Sequence, residues 1–168
     1  NPGAGKAYKV KARGVPRGRL DGFTIAGKTG ELLFIIYDYE TQRSTLYRSL
    51  INLNGDELSA PETISLGTFS GNPESVTCNP DGSTLIFSAE GPSGEGGQDL
   101  YIATRNANGY EEPRHVTGLV NSLGNEKFPY LVDDTLLYFC SDGHGGLGGM
   151  DVFYINLNTP EAIPVNPG

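Results

Sequence analysis

The chain has 168 residues, of which 37% are hydrophobic, and this is enough for one domain with a real core. The net charge is −8, and every acidic side chain follows residue 20, so most of the chain would repel the phosphates of a nucleic acid. No apolar run approaches the roughly 18 residues of a membrane-spanning helix. The composition therefore predicts a globular domain that binds no nucleic acid and has no direct membrane span.

The chain opens with a basic segment, residues 1–19, in which six basic side chains occur without an acidic one. These side chains are Lys6, Lys9, Lys11, Arg13, Arg17 and Arg19. The segment fits a basic edge strand that lies on the acidic remainder of the chain. Its YKVKARGVPRG stretch also resembles the tail of a preceding repeat unit, and binding to an acidic partner is the alternative.

A repeat of 52 residues organises the rest of the chain, because residues 74–102 align without a gap on residues 126–154. A weaker copy begins at residues 21–35 and lacks the glycine-rich middle of the other two. The positions that recur, and that we expect to have structural roles, are Asp81 with Asp133, Phe87 with Phe139, Gly96 with Gly148, Gly97 with Gly149, and Asp99 with Asp151. The chain is therefore predicted to contain about three copies of one structural unit.

Each unit has the pattern of β-strands rather than helices. STLIFS and DLYIAT alternate and are rich in β-branched and aromatic residues, whereas no window shows a helical period with caps. Several short strands in a repeat of this length are typical of a propeller blade. We therefore predict an all-β chain of about three four-stranded antiparallel blades.

The repeat boundaries place blade 1 at residues 20–71, blade 2 at residues 72–123 and an incomplete blade 3 at residues 124–168. Residues 1–19 would end a preceding blade or form an edge strand, and all units would belong to one propeller domain. Closed propellers usually have about four to eight blades. Three blades therefore predict a partial propeller: a fragment of a longer protein, or half of a ring that another copy completes.

The glycine-rich stretches, residues 91–98 and 143–150, are predicted to connect the second and third strands of their blades. Glycine allows a positive φ and lets the backbone pass close to a neighbouring blade. The carboxylates of Asp99 and Asp151 are expected to accept hydrogen bonds from backbone N–H groups of these connections. A phosphate loop would need a following helix and a lysine, and a calcium nonapeptide would need tandem copies, so we expect no cofactor and no metal.

The second unit, NPDGSTLIFSAEGPSGEGGQDLYIATRNANGYEEP, closely resembles the WD-like propeller repeat with a PDG turn. The third unit keeps the pattern but has Val132 and Asp134 where the motif has Pro and Gly, and the first unit lacks both motif elements. This glycine-rich version is similar to the repeat of cell-envelope proteins with an OmpA-type peptidoglycan-binding domain, some of them in type IX secretion and gliding. The resemblance implies a periplasmic, outer-membrane-associated interaction module.

The sequence predicts no enzyme. His115 and His144 are the only histidines, no G-x-S-x-G elbow occurs, and acids such as Glu74 and Glu126 recur once per unit, which favours a structural role. The two cysteines, Cys78 and Cys140, lie in strand-like runs and are expected to be buried free thiols.

The units differ most in the connection that follows their second strand. YDYETQ, residues 37–42, stands in the first unit where the others carry glycine-rich stretches, and tyrosines with acids suit a protein contact. The candidate partner-contact residues are Tyr37, Asp38, Tyr39, Glu40, Asp142 and His144.

Three hypotheses about function follow from these features. The first is a non-catalytic scaffold that binds protein partners in the cell envelope. The alternative is a carbohydrate-binding or glycan-processing propeller fragment, against which the absence of tryptophan argues. The third is a chain that associates with itself to complete the propeller and has no further site.

Overall fold

A computed structural model describes residues 9–91, 94–107, 109–116, 118–159 and 161–168. These residues form three antiparallel sheets, one for each repeat unit, and none of them is helical. In this part of the chain there is accordingly no helix with the length and hydropathy to cross a membrane. The predicted all-β architecture of successive antiparallel blades is confirmed.

The three sheets follow one another along the chain. Blade 1 contains β1 (Arg19–Ala26), β2 (Glu31–Asp38), β3 (Arg43–Leu50) and β4 (Glu62–Thr63). Blade 2 contains β5 (Asn72–Cys78), β6 (Thr84–Glu90), β7 (Asp99–Asn106), β8 (Gly109–Tyr110) and β9 (Arg114–His115). Blade 3 contains β10 (Glu126–Val132), β11 (Leu136–Ser141) and β12 (Asp151–Asn156). In each blade the first three strands pair in chain order.

The three blades differ most in their fourth strand. Blade 1 has it as β4, whereas in blade 2 both β8 and β9 pair with β7. Pro113 lies between β8 and β9, and proline has no N–H to donate to a ladder, so the pairing is interrupted there. Blade 3 has three strands among its described residues.

A stacked aromatic pair recurs across the second and third strands of every blade. The three pairs have centroid separations of 5.6, 5.9 and 6.0 Å and occupy equivalent cross-strand positions. They are Phe34 with Tyr47, Phe87 with Tyr101, and Phe139 with Phe153. The recurrence shows that the blades share one register although blade 1 lacks the glycine-rich connection.

Two hydrophobic clusters fill the spaces between successive blades. Phe87 belongs to the cluster with blade 1 residues Leu33 and Leu46, whereas its neighbour Ile86 belongs to the cluster with Phe139 of blade 3. Successive residues of a strand point to opposite faces of the sheet. Each blade therefore has a leading face, turned towards the preceding blade, and a trailing face, turned towards the following one.

Candidate functional site

The described residues of the connections between the second and third strands lie along one edge of the molecule, which we call the loop rim (residues 39–42, 91, 94–98 and 142–150). Each connection that has a following blade contacts the segment where that blade begins. Asn72 Nδ2 donates to Gln42 O at 3.4 Å, and Gly97 N donates to Gly124 O at 2.8 Å. The rim is therefore continuous from blade 1 to blade 3.

The glycines of the blade 2 connection are required by this close contact. A Cβ atom on Gly96 would lie 2.5 Å from Gly124 O, and one on Gly97 would lie 2.4 Å from Asn125 Oδ1. Both separations are shorter than any allowed van der Waals contact. The glycine pair thus lets the first residues of blade 3 lie directly against blade 2.

The repeated aspartates at the end of the connections have the hydrogen bonds that the sequence predicts. Glu95 N donates to Asp99 Oδ2, and Gly148 N donates to Asp151 Oδ2, both at 3.0 Å. Asp99 is fully buried, and this burial raises the pKa of its carboxyl group. These carboxylates hold the connections in shape.

The other repeated aspartates, Asp81 and Asp133, lie in the turns between the first and second strands. Asp81 Oδ1 accepts from Ser83 N, and Asp133 Oδ1 accepts from Thr135 N, both at 2.9 Å. Hydrogen bonds from the Ser83 and Thr135 side chains and backbones lower the pKa of the two carboxyl groups. Each aspartate therefore closes a turn.

Two of the candidate contact residues, Asp142 and His144, are engaged within the chain. Asp142 Oδ1 accepts from Asn125 N at 2.6 Å and its Oδ2 accepts from Asn125 Nδ2 at 3.0 Å, and these bonds lower the pKa of Asp142. His144 is half-buried, its Nε2 lies 2.7 Å from Val120 O, and its ring packs on Phe153 with a centroid separation of 5.3 Å. Both side chains fasten blade 3 to the segment that joins it to blade 2.

The remaining candidates lie at the blade 1 part of the rim: Tyr37 and Asp38 end β2, and Tyr39 and Glu40 begin the connection that follows it. Tyr39 is 63% exposed, and its ring meets that of Tyr37 edge to face with a centroid separation of 5.5 Å. Asp38 Oδ1 accepts from Glu40 N at 2.8 Å, which lowers the pKa of Asp38. The loop therefore presents an aromatic ring whose position is fixed from within the chain.

The basic segment contributes to this part of the rim, and the sequence predicted its contact with the acidic remainder of the chain but not the place of that contact. The Arg19 guanidinium lies 5.1 Å from the centroid of the Tyr37 ring and pairs with Asp21. A cleft of about 330 Å³ lies beside the loop, and Arg17 and Gly18 line it together with Tyr39 and Glu40. The opposite charges of the basic segment and of YDYE are the signal that could have indicated this contact.

The two thiols lie outside the loop rim. Cys78 is buried, Cys140 is half-buried, both are free, and burial raises the pKa of each thiol. Within the described residues no group of three or more His, Cys, Asp or Glu side chains is placed to hold a metal ion.

Comparisons with known proteins bear on the fold. No protein-family model and no curated protein matches the chain. Two solved structures of prolyl oligopeptidase B mutants from Galerina marginata, each bound to a 35mer hydrolysis and macrocyclization substrate, are similar to it. The first covers 94% of this chain at 11% identity with a TM-score of 0.52, and the second covers 86% at 12% identity with a TM-score of 0.49.

This chain spans about one-fifth of the length of those enzymes, 21% of the first and 20% of the second. The likeness to the first is a likeness to its β-propeller, and at this sequence identity it concerns the fold alone. The predicted propeller fold is thereby confirmed, with three blades as a partial propeller.

Proposed function

We propose that the chain is a non-catalytic protein–protein interaction module of a bacterial cell-envelope protein, with the loop rim as its docking surface. The observation that carries the proposal is the exposed Tyr39 ring, held by Tyr37 and flanked by Arg17 and Glu40. Tyrosine and arginine are enriched among the interface residues that contribute most to the free energy of binding. A ring fixed before binding loses little side-chain entropy in a complex.

The location of the module rests on the repeat. The PDG-type, glycine-rich unit resembles that of periplasmic propellers in outer-membrane and peptidoglycan-associated assemblies. A partner there is proposed to be a protein with a complementary surface that places an apolar group over Tyr39 and charged groups opposite Arg17 and Glu40.

The proposal is tested by replacing Tyr39 with a photo-cross-linking phenylalanine derivative in cells that make the chain. Leu53 is the control position, because its side chain is fully exposed in a turn of the same blade outside the rim. We expect one discrete protein adduct from position 39 and none from position 53. The Arg17→Glu variant should reduce that adduct, since it reverses a charge in the proposed interface.

Equal adducts from both positions, or none from position 39, would contradict the docking surface. Retention on a glycan array that is lost in Tyr39→Ala would instead support the carbohydrate-binding alternative, because an exposed tyrosine can also stack on a sugar ring.

A further inference from the structure

The Asp99 side chain is enclosed at the point where the blade 2 connection meets β7. It is fully buried, its Oδ2 accepts from Glu95 N at 3.0 Å, and its Oδ1 has no hydrogen-bond partner among the described residues. Gly94 packs directly on the carboxyl group, since a Cβ atom there would lie 2.5 Å from Oδ2. The connection therefore covers a carboxyl oxygen that accepts no described hydrogen bond.

Two further polar atoms without partners lie on the same face of blade 2. Tyr101 is two residues along β7 from Asp99, and His115 pairs with Tyr101 across β7 and β9, with a ring-centroid separation of 4.7 Å. Residues two apart in a strand share a face of the sheet, as do residues opposite each other in a pair. Tyr101 Oη and His115 Nε2 are buried and, within the described part of the chain, unpaired. Neither group therefore donates to Asp99.

The titratable groups that face Asp99 come from three elements. Glu95 in the connection and Glu126 in β10 carry negative charge, which raises the pKa of Asp99, whereas His115 in β9 lowers it. Burial has the largest effect, and the pKa of Asp99 lies above its ordinary value of 3.8. Glu126 is itself fully buried, so two enclosed carboxyl groups belong to this region of the rim.

The lysine on the β5 side of the connection is already paired. Gln98, the neighbour of Asp99 in the chain, donates to Glu74 at 3.1 Å, and Lys127 pairs with the other oxygen of that carboxylate at 3.2 Å. No described Lys or Arg side chain is bonded to Asp99. The geometry thus gives an ionised Asp99 no bonded counter-charge.

Blade 2 alone among the three blades combines these side chains. Phe153 of blade 3 replaces Tyr101, and Thr45 of blade 1 takes the place of Asp99. The cross-strand register is nevertheless the same in all three blades. The fold therefore does not require an enclosed acid beside a tyrosine at this position.

The connection that covers Asp99 also carries the contact with blade 3. Gly97 N donates to Gly124 O at 2.8 Å, Glu126 N donates to Gln98 O at 2.6 Å, and Gln98 N donates to Asn125 Oδ1 at 3.1 Å. Hydration of the Asp99 carboxyl group from the rim side requires residues 94–98 to move, which would lengthen these hydrogen bonds. The charge of Asp99 is therefore coupled to the junction between blades 2 and 3.

We propose that Asp99 is a proton-operated latch of the loop rim. In the closed rim its carboxyl group is neutral, with the proton on Oδ1, and Oδ2 accepts from Glu95 N. When the proton passes to solvent, the enclosed negative charge has too few donors, and residues 94–98 move outwards so that water hydrates it. The latch concerns the shape of the rim and does not depend on what docks there.

The pH dependence of the latch has a definite sign. A carboxyl group whose pKa is raised in the closed state stabilises that state below the ordinary pKa of 3.8, and this stabilisation is lost as the pH rises through the raised value. Closure should therefore weaken by about tenfold for each pH unit between the two values. The junction is thus tighter in acid than at neutral pH.

The test is an NMR titration of the full chain between pH 3 and pH 8, read at the Asp99 carboxyl carbon and at the amides of Glu95 and Gly97. We expect Asp99 to titrate above 3.8 and above Asp142, an exposed group whose pKa is lowered by its hydrogen bonds with Asn125. Hydrogen-exchange protection of the two amides should fall over the pH interval in which Asp99 ionises, by on the order of tenfold.

Two variants identify the group that titrates. Asp99→Asn keeps the shape of the neutral carboxyl group without an acidic proton, so the protection of Glu95 and Gly97 should stay high up to pH 8. Asp151→Asn is the matched control, because Asp151 ends the blade 3 connection and also accepts a backbone hydrogen bond. It should keep the pH dependence of the wild type at these two amides.

An Asp99 carboxyl group that titrates at or below 3.8 would overturn the latch, as would protection of Glu95 and Gly97 that does not change while Asp99 ionises. Both results come from the wild-type chain and do not depend on the folding of a variant. A pH response that survives in Asp99→Asn, or that is lost in His115→Gln, would overturn the latch too, because another group would then carry the proton.

Discussion

The Glu31 carboxylate is almost fully removed from water where blades 1 and 2 meet. Arg105 donates to it from both terminal nitrogens at 2.9 and 3.0 Å, and Thr29 Oγ1 donates at 3.1 Å. Burial alone would raise the pKa of Glu31, but the hydrogen bonds and charge of Arg105 outweigh it, and the pKa lies below its ordinary value of 4.5. The pair fastens the two blades through charge-assisted hydrogen bonds.

Glu31→Gln is expected to destabilise the chain by about 2 kcal/mol at pH 7, because it leaves Arg105 without its counter-charge. A lowered folded pKa contributes stability above pH 4.5, and this contribution is lost as the pH falls through the folded value. The difference between variant and wild type in urea unfolding should therefore shrink below pH 4.5.

Glu62→Gln is the control for this prediction. Glu62 is exposed and pairs with Arg48 at 2.8 Å, so its replacement should change the free energy of unfolding by less than about 0.5 kcal/mol. An equal loss in both variants, or a Glu31→Gln effect that is unchanged in acid, would contradict this role of Glu31.

Individual side-chain roles were predictable where the repeat supplied two examples. The hydrogen bonds of Asp99 and Asp151 could be predicted because both aspartates end a glycine-rich connection. The contact of His144 with Val120 could not, because blade 2 has no histidine at that position and the bond joins residues 24 apart in sequence.

At the scale of single elements, the glycine-rich connection is shaped by what lies beside it. Gly96 and Gly148 occupy equivalent positions in blades 2 and 3, but a Cβ atom on Gly96 would overlap the backbone of residues 123–124, whereas one on Gly148 would meet only Asp151 Oδ1 at 3.7 Å. Identical sequence elements therefore differ in their tolerance of substitution.

Gly96→Ala is expected to destabilise the chain by about 2 kcal/mol, since its Cβ would overlap the backbone of the blade 3 start. Gly148→Ala should change stability by less than about 0.5 kcal/mol, since its Cβ meets only the Asp151 side chain. For a chain of this length, thermal unfolding at low concentration should show a decrease of roughly 4–8 °C for the first variant. Equal decreases in the two variants would mean that the connections have equivalent surroundings.

The elements themselves were predictable to different degrees. Strand alternation and turn residues indicated the first three strands of blades 2 and 3, because those signals are local. The outer strand of blade 2 is divided into β8 and β9, which both pair with β7 on either side of Pro113. Comparison of the repeat units does not predict this division, because it depends on pairing within one blade.

At the scale of the whole molecule, the alternation of faces explains how one short unit builds an extended core. Phe87 packs in the hydrophobic cluster between blades 1 and 2, and Ile86 packs in the cluster between blades 2 and 3. The repeat alone predicted this architecture, because a unit that cannot bury both faces must stack on its neighbours.

The contact of the basic segment with the YDYE loop was indicated only by the opposite charges of the two segments, since it joins a weakly patterned segment to the most divergent connection. The sequence nevertheless identified the YDYE loop as different, and Tyr39 in it is exposed.

The stacking of the blades is tested directly by the aromatic-to-methyl NOE spectrum of the chain with selectively labelled Leu, Ile and Phe. Stacked blades with alternating faces predict cross-peaks from the Phe87 ring to methyl groups of Leu33 and Leu46, and from the Phe139 ring to those of Ile86 and Leu100. Cross-peaks confined to residues of the same blade would contradict the stacked propeller on which the proposed rim depends.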